Sequence, residues 1–180
     1  EQDSRYRDYW ETYLSLMGRR GVTPEAARTA IRSNATAIAA TALRRGDADA
    51  MICGLDGAYA ENLHQVEYVI GKAVGVRQFA AMSGLILPSG TYFICDTYVQ
   101  HDPTAEDIVR MTLLAASELG RFGVTPKVAL ISHSNFGGRD SPSAFKMRDA
   151  LTRLHEMELD FEVEGEMHAD AAIDETVRRR

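Results

Sequence analysis

The sequence is poor in the features that announce specialised chemistry. It has two cysteines in 180 residues, Cys53 and Cys95, with no CxxC pair. That excludes a disulfide scaffold and a thiolate zinc site. The five histidines are scattered with no HxxxH or HExxH spacing, so no metal site is expected. No apolar run approaches the roughly 18 to 20 residues that a membrane span needs. Basic residues do not predominate: 20 Lys and Arg stand against 26 Asp and Glu, a net charge of -6. Nonspecific nucleic-acid binding and docking on an anionic membrane surface are therefore not expected. The chain opens Glu1-Gln2-Asp3 with neither a signal peptide nor an initiator Met, and ends Arg178-Arg179-Arg180. These ends suggest a piece of something larger.

What is present reads as one soluble domain of ordinary composition, 26% charged and 45% hydrophobic. The cysteines lie in apolar runs, Ala50–Cys53 and Tyr92–Cys95, that read as buried strands. A packing role in a reducing compartment is expected; a disulfide between neighbouring strands is the alternative.

Tyr6, Tyr9, Trp10, Tyr13, Leu14 and Met17 recur at helical spacing. Thr23-Pro24-Glu25 starts a second helix that reads on to Arg44-Arg45-Gly46. From there strands and helices alternate. Ala50–Cys53 reads as a strand and Tyr59–Val74 as a helix. Phe79–Leu87 and Thr91–Cys95 read as a hairpin around Pro88-Ser89-Gly90. Pro103–Phe122 reads as a helix capped by Asp102. Lys127–Ser132 is a strand, Pro142–Met157 a helix, Phe161–Val163 a strand and Ala169–Val177 a last helix. The pattern predicts an α/β layered sheet carrying one antiparallel pair.

Ligands of open α/β sheets collect at the C-terminal ends of strands, and three such ends carry candidate loops. In Gly54-Leu55-Asp56-Gly57-Ala58-Tyr59, followed by Asn62 and His64, two glycines permit either a close approach to a ligand or an ordinary turn. Asp96, at the end of an apolar strand, either holds a ligand hydroxyl or orders its own loop. Ser132-His133-Ser134-Asn135-Phe136-Gly137-Gly138-Arg139 is the most informative stretch. Backbone N–H groups at a glycine-rich turn before a helix suit a phosphate or carboxylate, with Arg139 as a charged fork; a plain capped loop is the alternative. It matches neither GxxxxGK[ST] nor GxGxxG. Neighbouring residues on a strand point to opposite faces, which argues against a Ser134–His133 nucleophile pair. The acidic stretches Glu156–Asp160 and Glu162–Glu166 read as solvated faces.

Five stretches in order carry a family resemblance: Arg19–Ala27, Gly46–Gly54, Asp96–Val99 with Asp102–Ile108, Ser132–Gly137, and Glu164–Ala172. Together they resemble the phosphate acetyltransferase family, and more closely the phosphotransacetylase-like C-terminal region of large bacterial NADP-dependent malic enzymes. The resemblance implies a three-layer α/β/α fold with a mixed sheet, of the isocitrate and isopropylmalate dehydrogenase type, in a two-lobed module of which residues 1–180 are part. It implies acetyl-CoA or a related acyl-CoA as ligand and a homodimer or higher oligomer in the cytoplasm. The parent enzyme would convert malate to pyruvate by oxidative decarboxylation, with NADP and a divalent metal held in a malic enzyme part absent here. Within this stretch no cofactor or metal is expected, and Gly54, Gly57, Tyr59, His64, Asp96, Ser134, Asn135, Phe136, Gly137, Gly138 and Arg139 would line the ligand cleft.

Departures from the family pattern shift the expected role. Where active transferases carry two arginines, this sequence has Met17 and His64. Phe136 and Gly138 replace the Lys and second Ser of their Ser-Thr-Lys-Gly-Ser loop. The expected function is thus a regulatory acetyl-CoA-binding and oligomerisation domain without catalytic residues. The alternatives are an active phosphate acetyltransferase and a purely structural dimerisation domain.

Overall fold

The computed structural model describes residues 3–179, which fall into two compact units divided between Gln78 and Phe79. The N-terminal unit is helical. Helix α1 (Tyr6–Met17) buries Tyr9, Tyr13 and Met17, the stripe that the aromatic spacing predicts. After a 3-10 turn at Gly18–Arg20, Thr23 caps α2 (Pro24–Ser33) by accepting from the Ala26 N–H. The single long helix expected up to Arg45 is two helices. Asn34 adopts an extended backbone and its side chain caps α3 (Ala35–Arg45) through the Ala37 N–H. A short amide that bonds nearby backbone groups competes with helix continuation. Ala27, Ile31, Ala37 and Ala40 then close the core against α1 and against Val69 of α4 (Tyr59–Val69). Helix α4 ends five residues before the expected Val74. Gly71, at φ +85°, donates to the Val66 carbonyl and turns the chain away.

The strand expected at Ala50–Cys53 does not form. A strand needs a hydrogen-bonded neighbour, and none is paired with this segment among the described residues. Ile52 is fully exposed, and Cys53 and Cys95 are free and exposed rather than buried.

The C-terminal unit holds two separate two-stranded sheets. Strands β1 (Met82–Leu87) and β2 (Gly90–Cys95) form the expected hairpin, in register from Met82 opposite Cys95 to Leu87 opposite Gly90. Helix α5 (Ala105–Arg121) follows. Its cap is Thr104, not Asp102: the Thr104 hydroxyl and the Asp107 carboxylate satisfy each other's backbone N–H in a capping box. Strand β3 (Lys127–Ile131), helix α6 (Pro142–His155) and strand β4 (Glu162–Met167) make a parallel crossover unit. Ile108, Val109, Leu130, Ala150 and Leu154 form its core. Asp174 splits the expected last helix into α7 (Ala169–Ile173) and α8 (Glu175–Arg178) by accepting from the Thr176 N–H. The fold is α/β, but its parallel and antiparallel pairs are not joined into one mixed sheet. No described strand bridges them. No described helix is long and apolar enough to cross a membrane.

Candidate functional site

The β3–β4 ladder has an irregularity that builds a densely hydrogen-bonded loop. Leu130 pairs with Gly165, but Ile131 pairs with Met167. Glu166 is therefore the extra residue on β4. A bulge of this kind redirects a side chain that would otherwise alternate with the ladder. Gly165 sits at φ +145°, a conformation open essentially to glycine alone.

The redirected Glu166 is completely buried. Its Oε1 accepts from Ser134 Oγ at 2.8 Å and from the Gly137 N–H at 2.9 Å. Arg148 Nη1 of α6 stands 3.4 Å away. The Glu166 carbonyl accepts from the Phe136 N–H at 2.7 Å. Oε2 has no hydrogen-bond partner among the described residues. Ser134 Oγ in turn accepts from the Arg139 N–H at 3.0 Å, and the Gly138 N–H turns back to the Asn135 carbonyl at 2.8 Å. Asn135 Oδ1 accepts from the His168 N–H at 2.7 Å, and its amide nitrogen lies 3.3 Å from His168 Nδ1. Residues 134–139 and 166–168 are thus laced together. The acidic residue read as part of a solvated face is the centre of this lacing. One signal could have found it: a glycine directly before a carboxylate at a strand end, where a bulge can turn that carboxylate inward.

This geometry bears on the anion-nest idea. The N–H groups of Phe136, Gly137, Gly138 and Arg139 all point to protein acceptors. The exposed surface of the loop is made of side chains. Phe136 is 51% exposed and held at φ +45°, and the Arg139 side chain is exposed, with no side-chain partner among the described residues. Arg148 braces the loop from behind, reaching the Arg139 carbonyl at 3.3 Å and Asp140 at 3.2 Å while lying over the Phe145 ring. His133 sits apart from Ser134, with Nε2 3.1 Å from Ser141 Oγ and 3.4 Å from Ser143 Oγ.

Asp96 lies in the same unit on another loop. Its carboxylate accepts from the Ala81 N–H at 2.9 Å, the Gln100 N–H at 2.6 Å and, at longer range, the Val99 and Tyr98 N–H groups. It orders the turn after β2. Lys146 of α6 pairs with Asp102 at the end of that turn and holds the Asp102 carboxyl below the usual carboxylate range.

Gly54, Gly57, Tyr59 and His64 belong to the N-terminal unit. Gly54 and Gly57 both have positive φ, as the turn requires. Asn62, almost wholly buried, ties that turn to the helices. Its amide donates to the Asp56 carbonyl at 2.9 Å, and its carbonyl accepts from Thr36 Oγ1. His64 stacks on Tyr68 with ring centroids 5.7 Å apart, and the Arg20 guanidinium lies 4.2 Å from the Tyr68 ring centre. Met17, where the family pattern has an arginine, is 5% exposed in the core of this unit. No group of three or more His, Cys, Asp and Glu among the described residues is placed to hold a metal ion.

Residues 1–180 match the model of the phosphate acetyl/butaryl transferase family. The chain belongs to that family. Among curated relatives, it is 55% identical to an NAD-dependent malic enzyme of Rhizobium meliloti over 100% of the chain and 23% of the relative. It is 49% identical to the NADP-dependent malic enzyme of Escherichia coli over 99% of the chain and 24% of the relative. A phosphate acetyltransferase of Paracoccus denitrificans is 33% identical over 96% of the chain and 55% of the relative. The chain thus spans about a quarter of the malic enzymes, in their C-terminal part. A phosphotransacetylase structure from Streptococcus pyogenes matches with a TM-score of 0.76 at 23% identity, over 98% of this chain and 54% of that one. The EutD phosphotransacetylase from Staphylococcus aureus matches with a TM-score of 0.75 at 19% identity, over 95% and 52%. These structural matches establish the shared fold.

Proposed function

We propose that this chain is the regulatory, acyl-CoA-binding and oligomerising module of an NAD(P)-dependent malic enzyme, without transferase activity of its own. The carrying observation is the 49–55% identity, over 99–100% of the chain, to the Rhizobium meliloti NAD-dependent and Escherichia coli NADP-dependent malic enzymes, against 33% to the Paracoccus denitrificans phosphate acetyltransferase. The site supports it. Met17 is a core residue, so that position offers no cationic grip, and the glycine loop spends its backbone donors internally. Acetyl-CoA is the proposed ligand, with Phe136 and Arg139 as the exposed loop groups that meet it. The parent chain would be a cytoplasmic enzyme that decarboxylates malate oxidatively, with nicotinamide cofactor and divalent metal held elsewhere. Its modules would have the isocitrate and isopropylmalate dehydrogenase type of architecture. Exposed apolar side chains such as Ile52, Leu55 and Ile86 are the kind of surface an assembly covers, which supports a homo-oligomer.

Calorimetry of the intact parent enzyme with acetyl-CoA, alongside malate oxidation with and without it, tests the reading. Saturable binding that changes malate turnover is expected. Absence of binding would refute it. The likeness to phosphate acetyltransferases favours a second reading, an active transferase. Acetylation of CoA by acetyl phosphate would establish that reading instead.

A further inference from the structure

We infer that Glu166 is a positioning residue: it consumes the backbone donors of the Ser134–Arg139 loop and so presents the Phe136 ring and the Arg139 guanidinium as the ligand-contacting groups. The ligand half of this inference rests on the acyl-CoA reading above; the loop-building half does not. A glycine-rich turn ahead of a helix ordinarily offers backbone N–H groups to an incoming anion. In this turn the anion is already supplied by the chain. Glu166 takes the Gly137 N–H and the Ser134 hydroxyl with its carboxylate and the Phe136 N–H with its carbonyl. Ser134 relays the hold to the Arg139 N–H. A second anion at the same donors would meet a buried carboxylate, which Coulomb repulsion opposes.

Two further features fit this arrangement. Phe136 keeps a left-handed backbone at φ +45°, which an unbranched aromatic adopts only at a cost, and the Glu166 carbonyl is the acceptor that fixes it. The strain turns a large apolar ring outward, where burial cannot reward it unless something covers it. Arg139 follows on the same loop with its side chain exposed, the fork suited to phosphate oxygens of an anionic ligand.

The test uses the intact parent enzyme and site-resolved amide hydrogen exchange without ligand, followed by acetyl-CoA titration. In Glu166→Ala the Gly137 and Arg139 amides should exchange at least tenfold faster, while β3 and α6 amides stay within threefold of wild type. Glu166→Gln retains an amide oxygen for the same donors and should restore slow exchange. Should Glu166→Ala unfold the unit, Ser134→Ala decides: it should release the Arg139 amide and leave Gly137 slow. Unchanged loop exchange in both alanine variants would overturn the inference.

For the ligand half, Arg139→Ala should weaken acetyl-CoA binding about tenfold with loop exchange unaltered, and Glu166→Ala should weaken it comparably. Unaltered affinity in either variant overturns the assignment of the ligand-contacting groups. Wild-type enzyme that gives no heat with acetyl-CoA fails the acyl-CoA reading and its ligand half together, and the exchange comparison still decides the role of Glu166.

Discussion

Replacing Gly165 by alanine should cost the C-terminal unit more than the same change at any other described glycine of that unit. A Cβ built on Gly165 would lie 2.7 Å from the Leu130 carbonyl oxygen, 3.0 Å from Leu130 Cβ and 3.2 Å from the Leu130 nitrogen. Two of these are backbone atoms of β3, so relief requires moving a paired strand rather than turning a side chain. The φ of +145° adds a second penalty of about 1–3 kcal/mol for any residue with a Cβ. Overpacking costs roughly 1–3 kcal/mol in addition. The combined loss, on the order of 3 kcal/mol or more, is a large share of the ~5–15 kcal/mol that a domain has in total. In amide exchange, about 3 kcal/mol corresponds to roughly 100-fold faster opening. The assay is hydrogen exchange of β3, β4 and α6 peptides in the intact protein. Gly120→Ala serves as the contrast, because its Cβ meets nothing within 4 Å and it lies inside α5. That change should slow exchange, since alanine is favoured over glycine in a helix by ~1 kcal/mol. Exchange in Gly165→Ala within threefold of wild type would refute the reasoning that the bulge requires glycine.

Three other outcomes follow from local geometry. Asn34→Ala removes the cap of α3 and should cost the N-terminal unit about 1 kcal/mol, lowering its melting midpoint by ~4–8 °C in calorimetry; an unchanged midpoint would contradict the capping role. Asp102 has its folded value lowered by Lys146. Its contribution is therefore present above the ordinary aspartate range and lost as pH falls through the lowered value. Melting curves of wild type and Asp102→Asn should differ most near neutral pH and converge in acid, and a difference that grows toward acid would show the sign to be wrong. Phe136→Gly relieves the left-handed strain, so thermal stability should hold or rise while acetyl-CoA binding falls about tenfold; falling stability with intact binding would make Phe136 a structural residue.

The legible parts of the fold are those fixed by local chemistry. The Tyr9–Tyr13–Met17 stripe, the Pro88-Ser89-Gly90 hairpin, and the Thr23 and Pro142 starts of helices are decided by residues a few positions apart. Asn34 and Asp174 hid helix breaks because short polar side chains suit both a helix surface and a cap. Ala50–Cys53 looked like a buried strand because an apolar run does not reveal whether a partner strand exists. The candidate site shows the same divide. The loop Ser134–Arg139 stood out by composition and the ordering role of Asp96 by its place after a strand. Glu166 did not stand out, because its meaning comes from contacts 29 and 32 residues away in sequence.

That long-range dependence explains how a loop can keep its hold while an exposed side chain on it differs from the family pattern. Ser134 and Gly137 are the two positions at which this loop agrees with the Ser-Thr-Lys-Gly-Ser pattern, and they are the two whose hydroxyl and N–H reach Glu166. Asn135, Phe136 and Gly138 depart from it: the Asn135 side chain still ties the loop to His168, Phe136 projects outward, and a Cβ on Gly138 would come within 3.0 Å of the Asn135 carbonyl oxygen. Agreement with the family pattern thus coincides with the hold on Glu166, while the departures divide between a loop contact at Asn135 and the exposed ring of Phe136. A Lys at position 136 would present a cation beside Arg139, whereas Phe presents an apolar face. On this geometry the change from Lys to Phe alters what the loop attracts without altering how it is held.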